Sequence, residues 1–202
     1  MRERILAAAL VALTAAVGAA EYELKWDTGR PACHGECLNV GAGFWFANDF
    51  DVSTLKARHI AALKIMVYPY GGMWDGFRIG LFAFDKIPGS IIWPTSGVPK
   101  FVKGSGPGEF QWCKFAVDWT LPAETQSFAA GQEQFFLPPF CDQYVFDDNV
   151  EHKWHTWQKS PHREWNLYYS SELGKNLMLR VILTGDEAVR PTSLGRVKGL
   201  YY

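Results

Sequence analysis

Leu63, Ile65 and Val67 alternate with Lys64, Met66 and Tyr68, and a little further on Phe77, Ile79, Leu81 and Ala83 alternate with Arg78, Gly80, Phe82 and Phe84. A period of two sustained over both runs marks strands that bury one face. It excludes an amphipathic helix over Ala62 to Phe84, because a helix repeats its apolar residues every three to four positions. Gly71, Gly72 and Asp75-Gly76 lie between the runs and free the backbone to turn. The stretch therefore predicts a hairpin of two antiparallel strands, with Leu63, Ile65, Val67, Phe77, Ile79 and Leu81 facing inward.

Shorter runs of the same kind recur along the chain. Tyr22 to Trp26 predicts an opening strand, Asn39 to Phe50 (NVGAGFWFANDF) an aromatic one, and Phe110 to Leu121 a longer one with Cys113, Phe115, Val117 and Trp119 on its core parity. Ser127 to Pro138, Cys141 to Phe146 and Leu177 to Leu183 complete the series. Gly29, Pro31 and Gly35 make Asp27 to Cys37 a loop, and Pro88-Gly89 reads as a turn after Phe84. His152 to Trp165 keeps no persistent period and predicts loops with a short strand. No stretch has the pattern of a crossover helix, which excludes a βαβ architecture. The expectation is an all-β chain: a single antiparallel β-sandwich, jelly-roll-like, with long aromatic-rich loops and little helix, over residues 21–185.

Residues 1–20 are set apart from that domain. Arg2 and Arg4 precede an apolar run from Ile5 to Val17, and Gly18-Ala19-Ala20 supplies small residues for cleavage, the plan of a secretory signal peptide. The apolar run is short for a bilayer span and no later stretch resembles one, so no transmembrane anchor is expected. Residues 186–202 form a polar, Gly- and Pro-punctuated tail. Setting aside Arg2, Glu3 and Arg4 from the 20 basic and 21 acidic residues leaves a formal charge of −2. Without a basic stripe, a nucleic-acid partner is not expected.

Export places the four cysteines, Cys33, Cys37, Cys113 and Cys141, in an oxidising compartment, where two disulfides are expected. Three pairings are open to four cysteines. Cys33 with Cys37 and Cys113 with Cys141 is the preferred set, and crossed pairing stays open. A zinc site in the CHGEC loop would need reduced thiols and a fourth ligand beyond Cys33, His34 and Cys37, so His34 reads as a solvated loop residue.

At this point the strands GAGFWFANDF, LKIMVYPY, WDGFRIGLFAF and LMLRVIL give the chain a pattern that resembles bacterial secreted or surface-associated jelly-roll-like β-sandwich accessory domains. The resemblance covers much of Asn39 to Leu183. It implies an accessory or adhesion domain, commonly without a catalytic role, here with no large enzyme domain beside it.

The residues themselves point the same way. Glu133 with Asp142, and Ser160 with His162, are the pairs a hydrolase would draw on, but no GxSxG segment or glycosidase-like carboxylate pair supports them, so no enzyme is expected. His152, His155 and His162 read as surface histidines. Asp147, Asp148 and Asn149 gather the oxygen donors that calcium favours, without EF-hand spacing, and are expected to form a solvent-facing acidic turn with no cofactor; Asp49 and Asp51 read alike. Some of the nine tryptophans must pack in the core, and so many rings also leave material for a surface: Trp74, Trp154, Trp157 and Trp165, with Tyr68 and Tyr70, are the candidates for a recognition surface, the other role open to them being to pack against loops or cap the core. Two functions follow: a secreted, non-enzymatic surface or structural protein assembling with itself or another surface protein, or a carbohydrate-binding or adhesion module holding a polysaccharide on its loop aromatics.

Overall fold

A computed structural model describes residues 20–34, 43–68, 77–97, 100–102, 109–134, 143–147, 154–168 and 176–185. Among these residues fourteen strands follow in chain order. They are β1 (Ala20–Leu24), β2 (Pro31–His34), β3 (Phe44–Asp51), β4 (His59–Tyr68), β5 (Phe77–Asp85), β6 (Ile87–Trp93) and β7 (Lys100–Val102). Then come β8 (Gln111–Thr120), β9 (Ser127–Gln134), β10 (Gln143–Asp147), β11 (Thr156–Lys159), β12 (Asn166–Leu167), β13 (Asn176–Leu177) and β14 (Leu179–Gly185). None of the described residues is helical, and no helix among them is long and apolar enough to cross a membrane. Every pairing is antiparallel, and the chain is an all-β sandwich of two sheets, as its periodicity predicts.

In the first sheet β4 is central, with β8 on one side and β14, then β1, on the other. Beyond Ile65 the strands β4 and β14 splay at Met178, and β10 enters the fork: Met66 N donates to Met178 O and Met178 N to Val145 O, each at 2.9 Å. Strands β2 and β13 pair with β10. The second sheet runs β12-β11-β3-β9-β5-β6, with β7 also on β5. Its inward residues Phe46, Phe50, Phe77, Ile79, Leu81 and Phe128 meet Ile60, Leu63, Ile65, Val67, Leu179 and Val181 of the first sheet in one buried core. Most connections pass from one sheet to the other, in the jelly-roll manner.

The pairing corrects the hairpin reading of Ala62 to Phe84. Strands β4 and β5 form as their alternation predicts, but they sit in opposite sheets and do not pair. Their apolar sets face one another across the sandwich, where Phe77 on β5 meets Phe115 on β8 edge-on at 5.5 Å. Period two fixes which face of a strand is buried and says nothing of its lateral neighbour. The hairpin in this region is β5–β6, turning at Lys86 with φ 68°. Pro88-Gly89, read as the turn, lies inside β6, where an edge strand accommodates proline's missing N–H. Likewise Asp27 to Cys37 is not loop throughout, since Pro31–His34 forms β2.

Polar side chains stitch the layers together. Asn48 on β3 donates through Nδ2 to Leu177 O at 2.8 Å and accepts from Thr156 Oγ1 at 2.8 Å; Thr156 Oγ1 accepts from Leu177 N at 3.1 Å. Asp147 is buried rather than solvent-facing, because it accepts from Thr28 N at 2.7 Å and Asn176 Nδ2 at 3.4 Å. That corrects the open acidic turn for this residue; Asp148 and Asn149 lie outside the described residues.

The long strand β8 pairs with β4 alone among the described residues and so presents an edge. A bulge opposite Ile60 and Ala62 breaks its ladder, with Asp118 at φ 52°, and Lys100 Nζ donates to Ala116 O at 3.3 Å. Bulges and charged groups of this kind discourage strand addition.

Candidate functional site

The outward face of the second sheet is aromatic where a solvent face would ordinarily be polar. Its register aligns Trp45, Glu133 and Arg78 in one row, Trp157, Ala47, Gly131 and Gly80 in the next, and Asp49, Ala129 and Phe82 in a third. The small residues make a low floor on which the Phe82 ring lies. A Cβ added at Gly131 would stand 3.0 Å from Phe82 Cε2, from Ala47 Cβ and from Phe46 O, so glycine is what permits the approach. Trp45 and Trp165 meet Phe82 edge-on at 5.1 and 5.2 Å. All three are buried, and together with Ala47 and Ala129 they form a second apolar cluster outside the main core.

Trp157 and Phe84 lie at the margin of this cluster, half-buried, with ring centroids 5.6 Å apart. Asp49 anchors the tryptophan: its Oδ1 accepts from Trp157 Nε1 at 2.8 Å and its Oδ2 is 3.1 Å from His155 Nδ1. The His155 ring stacks on Trp26 at 3.6 Å, and Trp26 Nε1 donates to Asp49 O at 2.6 Å. One aspartate thus fixes an indole and an imidazole across β3 and β11.

Beyond Phe84 the surface dips into an open cleft of about 640 Å³. Phe84, Ile92 and Trp119 supply its apolar side, and Asp85, Glu124, Gln126 and Ser127 its polar side. Ser127 Oγ donates to Phe84 O at 3.0 Å, so toward the cleft the hydroxyl acts as an acceptor. Arg58, half-buried, donates to the Thr125 carbonyl and holds the loop that forms the far wall. Half-exposed rings beside carboxylate, amide and hydroxyl groups suit a polyhydroxylated ligand, whose C–H faces stack on rings while its hydroxyls hydrogen-bond at the rim.

At the opposite end of the face Arg78 Nη1 pairs with Glu133 Oε2 at 3.2 Å. Burial dominates at Glu133 and holds its pKa above the ordinary carboxylate value, although Arg78 and the Trp45 N–H oppose the rise. The Lys159 ammonium sits 6.0 Å above the Trp165 ring.

The expected recognition residues divide accordingly. Trp157 and Trp165 are brought together on this face, with Trp165 folded into the cluster under Lys159 rather than exposed. Trp154 is 54% exposed with φ 79°. Tyr68 is half-buried on the other sheet, packed edge-on to Phe110 at 5.4 Å. Tyr70 and Trp74 lie outside the described residues, as do Cys37, Cys141 and Asp142. Cys113 is half-buried on the core side of β8, and no disulfide is present among the described residues. Ser160 and His162 lie in one turn, where Ser160 O accepts from Arg163 N and His162 is exposed. Sequence reasoning missed Phe82, Phe84 and Trp119 as site-forming residues. Two phenylalanines on the outward parity of β5, Phe82 and Phe84, the first opposite Ala129, were the available signal. No family model matches the chain, and no curated protein or solved structure matches it.

Proposed function

We propose that the protein is a secreted, non-catalytic module that binds a glycan chain in the cleft beside Trp157 and Phe84. The observation that carries the reading is the pairing of two half-exposed rings in the cleft, Phe84 and Trp119, and of Trp157 against Phe84, with the polar wall of Asp85, Glu124, Gln126 and Ser127. Asp49 adds support, because an indole held by a 2.8 Å hydrogen bond loses little freedom when a ligand stacks on it. Assembly through sheet edges is the weaker alternative, since the β8 edge is bulged and capped by Lys100. Polysaccharide-array binding by the full chain, repeated with Trp119→Ala and Trp157→Ala, tests the proposal. Specific binding that both substitutions weaken at unchanged far-UV dichroism supports it. No specific binding, or binding indifferent to both substitutions, sinks it.

A further inference from the structure

The polar groups of the cleft are unequal in sign. Asp85 and Glu124 both line it, both are exposed, and among the described residues no lysine or arginine lines it. Neither carboxylate has a cation within ion-pairing distance among the described residues. Arg58, just before β4, donates to the Thr125 carbonyl without lining the cleft, and Lys86 follows Asp85 at the turn, also without lining it. The basic groups of the aromatic face lie at its other end: Arg78 is neutralised by Glu133, and Lys159 covers Trp165. The remaining acids of the face, Asp49 and Asp51, belong to the cleft end of β3, where Asp51 pairs with Ser127. A ligand entering beside Phe84 therefore meets two carboxylates that are in no ion pair among the described residues.

Resting on the glycan reading above, we infer that the cleft selects glycans without acidic groups, and that Asp85 and Glu124 set this specificity. Vicinal hydroxyls can each donate to a carboxylate oxygen, and an amino sugar would add an ammonium of matching sign. A uronate or sulfate would bring like charges together, a rejection that works by repulsion and weakens as salt screens it.

Three oligosaccharides of matched length separate the outcomes: a neutral glucan, its amine-bearing glucosamine counterpart and an oligogalacturonate, each titrated into the full chain at low and high salt. The neutral or the amine-bearing chain is expected to bind, with the oligogalacturonate weaker by about fivefold or more at low salt. That gap should narrow at high salt and in the Asp85→Asn, Glu124→Gln double variant, whose side chains keep their size. Equal binding of neutral and acidic chains at low salt overturns the charge selection and leaves the glycan reading standing. Tightest binding of the oligogalacturonate overturns it likewise. Failure of all three to bind overturns both. A gap that persists unchanged in the double variant removes Asp85 and Glu124 as its cause.

Discussion

The two outward faces of the sandwich solve the same problem in opposite ways. On the first sheet the register sets Arg180, Lys64 and Lys114 side by side, a like-charge row that would be unfavourable alone. Acids neutralise it. Arg180 Nε lies 3.1 Å from both Asp27 oxygens, Nη1 is 2.6 Å from Glu23, and Lys64 and Lys114 reach Glu23 and Glu21 at 3.4 and 3.5 Å. The guanidinium also lies 4.2 Å over the Trp112 ring. Its partners are thereby occupied within the face. The second face uses rings instead, and rings stacked edge-on leave Trp157 and Phe84 with open surface next to a polar cleft. A face neutralised by its own ion pairs has little left to offer a ligand, whereas a partly covered aromatic face still does.

The sharpest way to break this comparison is to empty each face at its centre. Phe82→Ala removes the ring between Trp45 and Trp165 and should cost about 3–5 kcal/mol in denaturant unfolding, the scale of a core truncation. A cost below about 1 kcal/mol would mean that the second cluster is a surface ornament. On the ionic face Asp27→Ala leaves the buried Arg180 with only Glu23 as a carboxylate partner among the described residues and should cost about 3 kcal/mol, while the paired change Asp27→Leu with Arg180→Met should recover most of that loss. Non-recovery would show that the ion pair carries more than charge compensation.

Asp49→Ala comes next in size. It deprives Trp157 Nε1 and His155 Nδ1 of their acceptor, and should destabilise by about 1–2 kcal/mol while shifting the Trp157 indole N–H resonance. An unmoved resonance would dissociate Asp49 from the posture of the ring.

Smallest, and of opposite sign on the two faces, is the response to pH. At Glu23 burial alone would raise the pKa, but Arg180, Lys64 and Lys25 together outweigh it and hold the value below the ordinary one. Its stabilisation is present above the unfolded carboxylate value of about 4.3 and is lost as pH falls through the lower folded value. Glu133 is raised, so the folded state binds its proton more tightly. Its contribution is fullest below about 4.3 and declines as pH rises through the higher folded value. Unfolding across that range should show Glu23→Gln removing an acid-side loss and Glu133→Gln removing a loss on the rising side. The same sign of change in both variants would contradict the assignment.

Strand positions were legible in the sequence because alternation reports burial directly: β4, β5, β8 and β14 lie where the apolar parity put them. Their partners were not legible. β4 bonds to Gln111–Thr120 and Leu179–Gly185, and no local pattern in 59–68 encodes segments so remote. The site was legible in part. Trp157 and Trp165 stood out as tryptophans, yet only the register shows that they share a face with Trp45 and Phe82, and that Gly80 and Gly131 meet across strands to make room for a ring. The cleft depends on a loop closed by Arg58 on Thr125, a contact across 67 positions that composition cannot announce.

The placement of β4 also bears on when the protein can fold. One of its two long ladders forms with β8, midway along the domain, but the other waits for β14, the last described strand, so one side of the central strand of the first sheet stays open until nearly the whole domain has emerged. Distant pairings of this kind make for slow nucleation. For a chain exported as proposed, that delay is an advantage: the polypeptide stays threadable during translocation, and the arrival of Leu179–Gly185 on the far side commits it to the native state.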